Sequence, residues 1–210
     1  MQALAKVSTD ATGLIVTQTG GPRQFQPSWV GLPFMINGLP TTVASVISPI
    51  QMTLATSVGQ LTTPTPLIPT RETIYQSFFN LVKQTPGVIT ASRVPRTFED
   101  VPPEQKPFIF MEQVGENPQR KGAGLPYNWE LDVAIGIFVF SPSPDQIPPA
   151  TLLNPILDGI EAMLAPAPTI GIQNLDGIVY EARLLGNGKE AAGAIGTNAW
   201  AYLPARIFTT

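Results

Sequence analysis

The chain has 210 residues, 43% of them hydrophobic and only 13% charged, with a net charge of −3 and a pI near 4.9. The length suits one domain with a sizeable core, or one domain plus an appendage, and the charge leaves no electrostatic footprint for nucleic acid or an anionic membrane. There is no Cys and no His, which excludes disulfides, thiolate nucleophiles and sulfur-ligated metals and removes the commonest general base.

Soluble domains usually carry about a quarter charged residues, so so few charges imply a surface largely covered by other chains. The start, MQALAKVSTDATGLIV, lacks the basic opening and apolar run of a signal peptide. The least polar long window, 41–58, is broken by Ser, Thr, Gln51 and Pro49 and falls short of a membrane span. A soluble, non-secreted protein is the expectation.

Residues 1–69 hold three charged side chains, Lys6, Asp10 and Arg23, and eight prolines. Disordered tails are highly charged and poor in apolar residues, whereas this segment contains the clusters LIV, WVGLPFMI and VASVISPI. Its prolines forbid long helices and confine strands to short or edge pieces. The reading is an extended Pro/Thr-rich arm with short β pieces, ordered by lying on something else and ending in the stiff linker TTPTPLIPT.

At Thr70 the character changes. Thr70 is placed to cap a helix, Glu72 suits its first turn, and Ile74, Phe78, Leu81 and Val82 form one apolar stripe before TPG ends it. Strands follow at 88–94 and 107–114, then a polar loop, GENPQRKGAGLP. The next strand is the most regular part of the chain. From Trp129 its odd positions are all apolar through Val139, while its even positions start polar (Asn128, Glu130, Asp132) and turn apolar (Ala134, Gly136, Phe138, Phe140). A second helix runs from about Ala150 to Leu164, with Leu153, Leu157, Ile160 and Leu164 on one face. Strands at 178–185 and 199–208 complete the order α-β-β-β-α-β-β. This predicts an α+β domain over 70–210: a mixed or antiparallel sheet of five strands with two helices packed on one face.

Candidate chemistry is sparse. Asp158 and Glu161 share a helix face and could hold Mg²⁺ or Ca²⁺, but the apolar stripe turns them toward solvent. Glu130 and Asp132 share a strand face and read as solvent or interface polarity. GNGKEAAG (186–193) lacks the Lys-Ser/Thr ending and the following helix of a phosphate loop. Arg120 and Lys121 form a small basic tip, which reads as a solvated loop or, alternatively, as a contact for an acidic partner. No Ser sits in a nucleophile elbow, so no catalytic residue, metal or cofactor is assigned.

From Thr70 onward the chain resembles the tail terminator proteins of long-tailed bacteriophages, the family of the minor tail protein U type. The likeness lies in the succession RETIYQSFFNLVKQ, a strand with SRV, FEDVPPEQKPFIFMEQVGE, LPYNWELDVAIGIFVF, LNPILDGIEAMLAP and a final strand, Gly-rich loop and strand. It covers about two-thirds of the chain, and residues 1–69 do not match the family's short form. The resemblance implies a structural virion protein, not an enzyme, that forms a hexameric ring, stops tail-tube polymerisation and presents a surface to the head and neck. Its implied partners are copies of itself, the tube protein and a neck or head-completion protein, with tail sheath as a further candidate. Membrane and sequence-specific nucleic acid are not among them, and DNA would pass through the ring lumen at most. Its implied place is the tail or neck of the virion, assembled in host cytoplasm.

A ring uses head-to-tail contacts that close by symmetry. The candidate interface residues are Phe138, Phe140, Trp29, Phe34, Arg120, Lys121 and Lys189. Phe138 and Phe140 admit two readings, contact with a neighbouring copy or burial under this chain's second helix; Trp200 and Tyr202 raise the same question. The competing functions are another neck component, such as a head–tail joining or head-closure protein, and an enzyme or small-ligand binding domain on a similar fold.

Overall fold

The structure is a computed structural model that describes residues 3–119, 128–168, 170–186 and 196–209. Strands make up 41% of it and helices 18%. The first 69 residues are not an extended arm. They close into a barrel of six antiparallel strands: β1 (Ala5–Thr9), β2 (Ile15–Gly20), β3 (Pro33–Ile36), β4 (Leu39–Ser48), β5 (Gln51–Leu54) and β6 (Thr65–Pro69). The order around the barrel is β1-β2-β5-β4-β3-β6, and β6 pairs back onto β1, so no edge is left.

The prolines fit because of where they fall. Pro33 opens β3, Pro40 and Pro66 are second in β4 and β6, and Pro69 ends β6, positions where a missing N–H is tolerated. Asn37 (φ 53°) and Gly38 (φ 74°) make the tight β3–β4 turn, the Asn-Gly signature of a two-residue hairpin. Two register shifts in β4, at Ala44 and Ile47, bend that ten-residue strand. Alternate residues point inward: Val7, Val16, Phe34, Ile36, Val43, Met52 and Leu67 are all buried.

The remainder runs α1 (Arg71–Val82), β7 (Thr90–Ser92), β8 (Phe108–Gln119), β9 (Asn128–Phe140), α2 (Pro149–Leu164), β10 (Glu181–Leu184) and β11 (Asn198–Phe208). Its sheet has the order β10-β11-β9-β8-β7, antiparallel except for the parallel β7–β8 pair, and curls into a half-barrel. β8 continues to Gln119, through the first five residues of the stretch expected to be a polar loop, with an irregularity between Gln113 and Gly115 that leaves Val114 exposed.

α1 starts with a reciprocal cap: the Thr70 hydroxyl accepts from Thr73 N–H at 3.0 Å, and the Thr73 hydroxyl accepts from Thr70 N–H at 2.8 Å. Thr73 also donates to the Pro33 carbonyl of β3, tying the helix to the barrel. α1 then packs on β3, β6 and α2, while α2 covers β9, β10 and β11. Barrel, helices and the inner sheet face share one continuous apolar core. The α+β expectation is therefore corrected. The chain is mostly β, built from a closed barrel and a half-barrel, and α1 meets the barrel at β3 and β6 and the remainder at α2, with Ile74, Tyr75 and Phe78 in the shared core.

Candidate functional site

The two faces of β9 explain its mixed pattern. Leu131, Val133, Ile135, Ile137 and Val139 are at most 1% exposed and belong to the shared core. The opposite face divides in two along the strand.

At its polar end the carboxylates are paired within the chain. Arg206 of β11, opposite Asp132 in register, donates from Nε to Asp132 Oδ1 at 2.6 Å and from Nη1 to Glu130 Oε2 at 3.1 Å. Asn117 adds a bond to Asp132 Oδ2 at 3.3 Å. The bond to Asp132 raises the Arg206 pKa above its ordinary value, so the guanidinium stays a fixed partner for both acids. Arg206 is the partner that a strand-by-strand reading of β9 could not supply.

At its dry end the strand enters an aromatic cluster. Phe138 is 4% exposed and touches Phe98 (5.1 Å between ring centroids), Phe110 (5.4 Å) and Phe108 (6.0 Å). Phe110 meets Tyr202 edge-on at 5.7 Å, and Tyr202 meets Trp200 at 5.8 Å. Within the chain the cover over Phe138 is not α2 but the Pro-rich segment 93–106, anchored by Phe98 and buried Val101. Lys106 closes this segment, 7% exposed, with Nζ 3.2 Å from the Phe98 ring centroid. Burial lowers the Lys106 pKa, opposed by nearby Glu99. Burial, helped by Glu112, raises that of the Tyr202 phenol.

Beyond the cover the face stays partly open. Trp200, Tyr202 and Phe140 are half-buried. Ile89, 59% exposed, donates its N–H to the Pro107 carbonyl beside the start of β8. Ile147, 44% exposed, takes the Ser141 hydroxyl on its carbonyl just past Phe140.

The other expected interface residues lie elsewhere. Trp29 and Phe34 are 0% exposed, with ring centroids 5.3 Å apart, and present no surface to a second chain. Arg120, Lys121 and Lys189 lie outside the described residues. Asp158 and Glu161 are both exposed on α2, and among the described residues no group of three or more acids could hold a metal ion.

The chain matches no protein-family model, and no curated protein matches it. The arrangement at the aromatic end is suited to apolar packing, since its acids are either paired or in solvent and its half-buried groups are rings.

Proposed function

We propose that the chain is a bacteriophage tail terminator, a structural subunit that closes the tail tube as a hexameric ring and offers a landing surface to the neck. The observation that carries this reading is the partly open aromatic end of the sheet, where Trp200, Tyr202 and Phe140 are half-buried, together with exposed Ile89 just before β7 and exposed Ile147 in the segment after β9. Apolar surface concentrated at one place marks a contact site, and a chain with only 13% charged residues has little else to keep that end wet. Head-to-tail contacts made there would close by rotation.

The assignment to the terminator rather than another assembly subunit rests on the resemblance from Thr70 onward. Electron microscopy of phage assembled without this chain tests it. Overlong or unjoined tails beside filled heads are the expected result; joined tails of normal length, or heads that leak, overturn it.

A further inference from the structure

The Pro-rich segment over Phe138 is fastened to the fold unlike the elements around it. The backbone–backbone hydrogen bonds of residues 94–106 all stay inside the segment: Asp100 donates to Thr97, Val101 to Phe98, Gln105 to Pro102 and Lys106 to Pro103, at 3.0–3.4 Å. Pro95, Pro102 and Pro103 have no N–H to give. Among the described residues, its hydrogen bonds to the sheet come from two hydroxyls of β7, one near each end. Ser92 Oγ accepts from Val94 N–H at 2.9 Å and donates to the Val94 carbonyl at 3.0 Å. Thr90 Oγ1 donates to the Gln105 carbonyl at 2.6 Å. Just ahead of the segment, both Nη atoms of Arg93 bond the Glu72 carboxylate of α1, so that end is pinned.

Between its ends the segment is held by side chains alone. Phe98 lies on Phe138, Val101 is 1% exposed, and the Arg96 guanidinium carbon is 5.9 Å from the Phe108 ring centroid. Lys106 Nζ rests on Phe98 and so braces the segment against itself. Val101, Phe108, Phe110 and Phe138 form a cluster of their own, separate from the core that the barrel, helices and inner sheet face share. Lifting the segment breaks that cluster and leaves the shared core and the strand ladders in place.

We propose that residues 94–106 are a hinged strap that opens as one unit and controls how much of the aromatic face a second copy of this chain can reach. The inference rests on the reading of that face as the contact between copies. Closed, the strap keeps Phe108 and Phe138 at 2% and 4% exposed, while Trp200, Tyr202 and Phe140 stay half-buried. Open, it joins Phe108 and Phe110 of β8, Phe138 of β9 and Tyr202 of β11 into one apolar surface. Segments with local hydrogen bonds and few ties to the core open well below the global unfolding free energy. A copy that prefers the open surface draws the equilibrium toward it.

Native-state hydrogen exchange of the full chain in low denaturant tests the strap. The amides of Asp100, Val101, Gln105 and Lys106 should share one denaturant dependence and exchange at least about a hundredfold faster than those of Ile135 and Ile137 in β9. Phe98→Ala should speed the strap amides by about tenfold or more and leave the β9 amides unchanged. In light scattering the same variant should form a discrete oligomer at about tenfold lower concentration than the native chain. Strap amides that exchange only together with β9, or one by one with no shared dependence, overturn the proposal. So does a variant that associates no more readily than a native chain that itself associates. The exchange result needs no variant and decides the strap even if Phe98→Ala fails to fold. Absence of association in both forms contradicts the ring reading instead, and the strap then stands or falls on exchange.

Discussion

Phe110 of β8 lies flat across Gly136 of β9: a Cβ built on the glycine would stand 2.1 Å from the ring's Cζ and 2.2 Å from Cε1. A glycine inside a long strand weakens it unless something approaches closely, and here the ring takes the space. This contact lets Phe110 reach both Phe138 and Tyr202, so one absent side chain organises the aromatic face. Gly136→Ala should therefore destabilise the chain by about 1–3 kcal/mol, the usual cost of overpacking a core. Denaturant unfolding should show this loss, and adding Phe110→Leu to Gly136→Ala should recover part of it. Full additivity of the two changes would show that they do not share the space.

The barrel segment and the α2–β10 connection are coupled through Trp29, whose ring packs on Phe25 and Phe34 while its N–H donates to the Asp176 carbonyl. Trp29→Ala removes a fully buried ring and should cost about 3–5 kcal/mol. Trp29→Phe should cost less and act mainly through the lost hydrogen bond, worth about 1 kcal/mol, together with some lost volume. Thermal or denaturant melts of the two variants would rank them; equal stabilities would contradict the coupling.

Deleting residues 1–69 should not leave a folded remainder. Without β3 and β6, Ile74 and Phe78 of α1 lose their barrel-side cover, and the Thr73 hydroxyl loses the Pro33 carbonyl. Recovery of a soluble 70–210 fragment with native-like NMR dispersion would contradict the shared core.

Lys106 supplies a pH signature. Burial lowers its pKa in the folded chain, so between that lowered value and the ordinary lysine value the unfolded chain binds more protons, and stability rises with pH. The raised pKa of Tyr202 pulls the opposite way in the alkaline range, so the comparison must be differential. The stability of the native chain relative to Lys106→Met should increase as pH rises toward the ordinary lysine value. A constant gap across the alkaline range would show that Lys106 is not desolvated on Phe98.

Periodicity made β9, α2 and β11 legible, because each has one face at a single regular spacing: Leu131 to Val139, Leu153 to Leu164, and Ala199 to Ile207. The barrel was harder to see. Its strands are short, its closure depends on β6 finding β1 some sixty residues away, and proline content argues against strands unless the position of each proline is known. The clearest local clue was Asn37-Gly38, a hairpin turn between two short apolar runs. In the aromatic face, Phe138 was legible as a residue needing cover, but the cover, Phe98, comes from a Pro-rich loop with no periodicity. Arg206 was likewise visible only as one charge in PARIF, since its pairing with Asp132 is a register relationship between two strands.

A ring at the tube end is measurable by multi-angle light scattering of the full chain with purified tail tubes, followed by imaging of the tube ends. Closed hexameric rings on tube ends are the expected result, lost when Trp200→Ser and Ile89→Asp are combined in a chain that still folds. A chain that stays monomeric at high concentration and leaves tube ends bare would contradict it.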